Sequence, residues 1–210
     1  MTFHPLLASG VLALSVVAVA PEANAAVVFL DNFNSYDYQL NWAPPSSVWT
    51  VSSGSVDLIG ETPSGTNFDF FPGNGGYVDL DGSSGSAGTL ETTATFGPGR
   101  YTLSFDLGGN ARGDVDKTTT ITLGDWTTSL TLPSGSPYQL YTFSFTTTTK
   151  GQLSFGDNGA GNQNIGNILD NVTLSTVVPE PSTWAMMALG FAGLGFAGWG
   201  RGRKTAVALL

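Results

Sequence analysis

The chain predicts an all-β fold, an antiparallel sandwich of two sheets, and three observations carry that reading. Apolar and polar residues alternate at period two in several short stretches, the signature of half-buried strands. Turn sequences rich in Gly, Pro and Asn separate those stretches, and the 210 residues include 28 glycines without a collagen-like repeat. Between the two ends of the chain no segment shows the 3.6-residue periodicity of an amphipathic helix. The ends themselves are apolar and read as two flanking helices, one belonging to a signal peptide and one to a single membrane span.

At the N-terminus, Leu6 to Ala20 is a run of 15 almost wholly apolar residues. That is too short for a bilayer core, which takes about 20 residues. Pro21 interrupts any continuing helix, and Ala23-Asn24-Ala25 forms an A-x-A cleavage site. Residues 1–25 are therefore expected to be a signal peptide, cut after Ala25 and marked by Ala23 and Ala25, with a folded domain over 26–176.

Within that domain the clearest strand is Tyr101-Thr102-Leu103-Ser104-Phe105-Asp106-Leu107, with four apolar residues on one face. Tyr141-Thr142-Phe143-Ser144-Phe145-Thr146 repeats it, and Ile121-Thr122-Leu123 and Leu153-Ser154-Phe155 are shorter versions. Tyr101, Leu103, Phe105, Tyr141, Phe143 and Phe145 are expected in the core. Gly97-Pro98-Gly99, Leu132-Pro133-Ser134-Gly135 and Gly156-Asp157-Asn158-Gly159 supply turns.

Composition excludes several chemistries. The chain has no Cys, and its one His, His4, lies in the signal peptide. A mature domain without either residue has no Ser-His-Asp or Cys-His catalysis, no zinc site with such ligands and no disulfide. Of the 16 acidic residues only Glu22 and Glu180 fall outside 26–176, leaving fourteen against Arg100, Arg112, Lys117 and Lys150, a net −10. Nucleic acid is therefore excluded as a partner. A cation suits this balance, as does a purely solubilising role for the acids.

Asp170 is the most informative carboxylate. At period two, Ile168, Asp170, Val172 and Leu174 share one face of the last strand, so the carboxylate needs a partner. Asp31 near the first strand and Asp81 after another complete a candidate oxygen cluster. Calcium takes 6–8 oxygen ligands and is the metal expected of Asp31, Asp81 and Asp170. Backbone N–H groups and an Arg are the alternative partners for Asp170. For ligands, Tyr36, Tyr38, Trp42 and Phe70 lie in Gly- and Pro-rich loops, where exposed rings stack on sugar C–H faces. The alternative is that they plug the open ends of the sandwich.

The C-terminus combines three devices in fixed order. Val178-Pro179-Glu180-Pro181 is a stiff, extended handle. Ser182 to Gly200 is an uncharged run of 19 residues with Trp184 and Trp199 near its ends, and Arg201, Arg203 and Lys204 follow it. This arrangement, with its Gly190-Phe191-Ala192-Gly193-Leu194-Gly195-Phe196-Ala197-Gly198 run, resembles the PEP-CTERM sorting signal of bacteria that make exopolysaccharide. The resemblance implies a signal over 177–204, with its motif at 178–181, membrane segment at 182–200 and basic cluster at 201–204. It further implies a membrane-anchored precursor, processing by an exosortase-type enzyme and delivery to the cell surface or outside.

A second resemblance covers most of Val27 to Leu174. Phe29-Leu30-Asp31-Asn32-Phe33-Asn34, Trp49-Thr50-Val51, Tyr77-Val78-Asp79-Leu80-Asp81-Gly82, Gly99 to Asp106 and Ile168 to Leu174 follow the order of galactose-binding-like jelly rolls in carbohydrate-binding modules. It implies a jelly-roll sandwich, and such modules often hold a structural calcium between first and last strands. Together these readings predict an exported, non-enzymatic protein of the surface or exopolysaccharide matrix that binds glycan. The alternatives are a small secreted carbohydrate-active enzyme using paired carboxylates, and a matrix subunit binding other proteins.

Overall fold

The structure, a computed structural model, describes residues 24–112, 115–159, 164–178 and 187–194. One compact unit, Ala25–Val178, is the sandwich. Its strands are β1 (Asn24–Asp31), β2 (Trp49–Ser53), β3 (Asp57–Thr62), β4 (Gly65–Asn67), β5 (Gly76–Asp79), β6 (Thr89–Thr92), β7 (Gly99–Gly108), β8 (Lys117–Leu123), β9 (Trp126–Leu132), β10 (Gln139–Thr147), β11 (Leu153–Asp157) and β12 (Ile168–Val178). The larger sheet runs β10-β7-β12-β5-β3-β4, with β1 also on β12, and the smaller runs β2-β6-β11-β8-β9. Each pairing with a described register is antiparallel. The all-β, two-sheet fold expected from the alternation is the fold observed.

The core lies between the sheets. Tyr101, Leu103, Phe105 and Leu107 of β7 face Ile121 and Leu123 of β8 and Leu153 and Phe155 of β11, all buried in one cluster. The Phe105 and Phe155 rings meet edge to face at 5.1 Å, a geometry that adds to the area they bury. Trp49, the largest fully buried side chain, stacks on Phe33 at 5.8 Å and meets Phe29 edge-on at 5.0 Å. Its indole Nε1–H donates to Asp31 Oδ2 at 2.8 Å, satisfying both groups.

Two expectations about faces are corrected. Tyr141 and Phe143 are only half-buried, because β10 is an edge strand with one neighbour in its sheet. The second correction concerns β12. Asn171 takes a left-handed φ of 51°, and the β12–β7 register shifts between Asp170 and Thr173. This bulge breaks the period of two. Leu169, Val172 and Leu174 enter the inter-sheet core, whereas Ile168 joins Ile59 and Tyr77 in a second cluster. Asp170 stands opposite Asp106, whose β7 neighbours Phe105 and Leu107 point inward. Ile168 and Asp170 therefore belong to the outer face of the larger sheet, not to the face of Val172 and Leu174.

The flanking segments are largely outside this description. Residues 1–23, with the apolar run and Ala23, lie outside the described residues, while Ala25 sits exposed in β1. Val178 ends β12, and Pro179, Glu180, Pro181, Arg201, Arg203 and Lys204 lie outside the described residues. Residues 187–194 form a helix, and no helix among the described residues is long and apolar enough to cross a membrane. The rest of the expected span over 182–200 is outside them.

Burial separates two otherwise similar substitutions. Phe105→Ala is expected to cost about 3–5 kcal/mol and Phe143→Ala roughly half as much. Urea unfolding of the purified domain checks this; equal losses would contradict the edge assignment of β10.

Candidate functional site

The outer face of the larger sheet carries its own small core. Ile59, Tyr77 and Ile168 are buried there, and Tyr38, Phe70, Phe71 and Tyr138 pack over them from three loops. Two glycines make room. Gly60 of β3 has φ +94°, and a Cβ on it would meet the Tyr77 ring at 2.7 Å. Gly108 of β7 lies beneath the Phe71 and Tyr138 rings, 2.8 Å from where its Cβ would stand. Those rings stack on each other at 4.6 Å and 16°.

The hydroxyl of Tyr77 organises the loop from Phe68 to Gly75. It accepts hydrogen bonds from the N–H groups of Phe70 (2.5 Å) and Phe71 (3.2 Å) and donates to Asp69 Oδ1 (2.9 Å). Burial, reinforced by Asp69, pushes its ionisation well above that of an ordinary phenol. Phe68 begins the loop at a left-handed φ of 48°. A bulky residue there costs on the order of 1–3 kcal/mol and marks a place where function is worth seeking. Phe68 is 54% exposed, and its ring stacks on Tyr38 at 6.4 Å and 29°. Tyr38 is fixed in turn, its N–H donating to Ser64 Oγ at 2.9 Å. The Arg112 guanidinium lies 4.6 Å from the centroid of the Phe70 ring, a cation–π contact, and is bonded to Asp79.

Across the same face, Asp106 and Asp170 stand opposite each other in the β7–β12 ladder. One amide serves both. Asn171 Nδ2 donates to Asp106 Oδ2 at 2.8 Å and to Asp170 Oδ2 at 3.2 Å, and Asn171 N–H donates to Asp170 Oδ1 at 2.6 Å. Burial first, then the charges of Asp106 and Asp31, push Asp170 up to about 7. The Tyr138 hydroxyl approaches that carboxyl without a hydrogen bond of regular geometry. Asp79 is also pushed up to about 7, because burial outweighs the opposing charge of Arg112.

The residues singled out from the sequence divide between separate places. Tyr38 and Phe70 lie in the outer aromatic cluster; Tyr36 and Trp42 join the inter-sheet core. The Tyr36 hydroxyl donates to Asp31 Oδ2 at 2.8 Å, and Trp42 is only 5% exposed, its ring 5.1 Å from that of Tyr36. Asp31 lies within electrostatic reach of Asp170, whereas Asp81 is at a different site, paired with Lys117. The oxygens of Asp31 already accept from Phe33 N–H, Trp49 Nε1–H and Tyr36 O–H. No group of three or more acidic or histidine side chains suited to a metal occurs among the described residues. Calcium held jointly by Asp31, Asp81 and Asp170 does not fit this donor set. Tyr138 and Arg112 are site residues the sequence did not signal, and the Ser136-Pro137-Tyr138 turn is the one local cue for the former.

Residues 177–204 match the PEP-CTERM protein-sorting motif. No curated protein matches the chain. Among solved structures, the chain is similar to a cleaved adhesin domain of Lys-gingipain from Porphyromonas gingivalis, at 15% identity and TM-score 0.46, covering 72% of this chain and 100% of that one. A xylan-binding domain from Paenibacillus barcinonensis is similar at 11% identity and TM-score 0.45, covering 75% and 98% respectively. A family 35 carbohydrate-binding module from Cellvibrio japonicus gives 14%, TM-score 0.38, and coverage of 66% and 92%.

The raised carboxyls fix a sign for the pH dependence. Asp79 and Asp170 titrate at about 7 when folded and near ~3.9 when unfolded. Between those values the folded state binds more protons, so their contribution is full below ~3.9 and is lost as pH rises through 7. Stability is expected to fall between about pH 4 and pH 7 and to level off by about pH 8. Asp170→Asn should melt higher than the parent at about pH 8 and flatten that slope. Thermal melts across this range check both, and a parent curve that rises with pH contradicts them.

Proposed function

We propose that the mature domain is a non-enzymatic glycan-binding protein of the cell surface or exopolysaccharide layer, released there by an exosortase-type enzyme acting on its tail. The sorting motif at 177–204 supports the route. For the binding activity, the observation that carries most is the Phe68 ring, exposed at a left-handed backbone position and stacked on Tyr38. Exposed rings backed by other rings suit the C–H faces of sugars, with neighbouring hydroxyls and carboxylates available for sugar O–H groups. Asp69 stands next to Phe68 in the chain, and Ser64 and Thr62 lie at the Tyr38 backbone.

The non-enzymatic reading draws on Asp106 and Asp170. A glycosidase needs two carboxylates free to face a scissile bond. Here the pair is occupied by Asn171, and Asp170 is wholly buried.

Binding of the purified domain to a panel of neutral polysaccharides tests the site. Phe68→Ala should reduce affinity at least tenfold, about 1.4 kcal/mol, while leaving the melting temperature at or above that of the parent. Undiminished binding by that variant would move the site elsewhere. The route has its own test: Pro179→Ala with Pro181→Ala should leave an unprocessed precursor in the membrane fraction, and normal release would refute it.

A further inference from the structure

At one end of the sandwich two oppositely charged side chains meet where neither reaches water. Lys117 opens β8 on its inward column, ahead of Thr119, Ile121 and Leu123, and pairs across the ladder with Leu132. Asp81 follows β5 in the other sheet. Lys117 Nζ lies 3.2 Å from Asp81 Oδ2, with the two side chains 2% and 0% exposed. Asp81 Oδ1 has no hydrogen-bond partner, nor has the Oδ1 of the neighbouring, fully buried Asn167. Arg112 is already engaged by Asp79.

A buried ion pair of this kind recovers little of the hydration its charges lose. An unpartnered carboxylate oxygen raises that cost. Linking the two groups covalently removes both charges at once. We propose that Lys117 and Asp81 condense spontaneously into an isopeptide bond that ties the two sheets together.

The reaction balances without a co-reactant. A proton passes from the ammonium to the carboxylate, leaving a neutral amine beside a neutral acid. The Nζ lone pair attacks Asp81 Cγ and forms the C–N bond. The Cγ–O bond then breaks, and the departing oxygen leaves as water with the acid's proton and one from Nζ. Asp157 of β11, paired with Thr119 of β8 and accepting from Asn167 N–H at 3.5 Å, is the proton carrier. Its carboxyl interacts electrostatically with both Lys117 and Asp81, and burial pushes it up, so that it holds a proton more readily than an exposed acid. Asn167 positions the nucleophile: its Nδ2 donates to the Lys117 carbonyl at 3.1 Å and to Thr119 Oγ1 at 3.0 Å, which fixes the start of β8. An Nζ held 3.2 Å from an oxygen of the carboxyl it attacks supplies the proximity that an uncatalysed condensation lacks. The apolar interior removes the water that the reverse reaction needs.

Intact-mass measurement of the purified protein reads the result directly. The expected mass is one water below that required by the sequence of the isolated form, and proteolysis should yield a branched peptide joining the segments around Asp81 and Lys117. Lys117→Arg should restore the full mass and lower the melting temperature. Asp81→Asn should lose one ammonia in place of one water, and Asp157→Ala should slow the loss. A full mass, with Lys117 and Asp81 recovered on separate peptides, overturns the proposal. So does a water loss confined to Asp81-Gly82 and reversed by hydroxylamine, which marks a succinimide.

Discussion

Strand β12 supports the larger sheet on both flanks, and its geometry turns on Asn171. The strand pairs with β7 along its length, with β5 at its start, and with β1. A regular strand of this sequence would place Asp170 among Val172 and Leu174, inside the apolar core. The left-handed φ at Asn171 inserts one extra residue and turns the first part of the strand about relative to the rest. Asparagine tolerates that conformation better than most residues. Its side chain then bonds both carboxylates brought together on the outer face. One residue thus supplies the bend and satisfies the polar groups the bend exposes to each other.

The outer cluster follows from this face switch. Ile168, carried outward, becomes the floor on which Ile59, Tyr77, Phe71 and Tyr138 gather. A loop that covers a sheet face must have its backbone groups satisfied, and the buried Tyr77 hydroxyl meets two of them with one oxygen. Phe68 is left at the rim because the chain turns there with a left-handed residue. The exposed ring is therefore a consequence of how the loop is anchored, and the anchor is Tyr77 of β5, which shares its cluster with Ile168 of β12.

Alternation made much of the sandwich legible. Tyr101, Leu103 and Phe105 alternate without interruption and are core, and the sequence around β8 and β11 behaved likewise. Tyr141 and Phe143 show the limit: the pattern reports which side a residue faces but not whether its strand has a neighbour on both flanks. Asp170 shows another. Bulges break the period, and nothing between Ile168 and Leu174 announces one beyond an asparagine with many other possible roles. Tyr36, Tyr38, Trp42 and Phe70 are near in sequence or alike in setting, yet they fall on opposite faces of one sheet. Only the long-range pairing of β3, β5 and β12 separates them.

The same lesson changes the meaning of the acidic composition. Asp31, Asp57, Asp79, Asp81 and Asp170 are all buried, so the excess of acid is not simply a surface field. Each has a different neutralising device. Asp31 takes an indole N–H and a phenol O–H, Asp57 the Ser83 hydroxyl at 2.6 Å and the Asn41 N–H at 2.6 Å. Asp79 takes Arg112, Asp81 takes Lys117, and Asp170 takes Asn171. Two of the four basic residues in the domain are consumed in this way, leaving Arg100 and Lys150. Long-range attraction acts through charges that face water. The nine acids left over still outnumber Arg100 and Lys150, so burial lowers the acidic field of the domain without cancelling it.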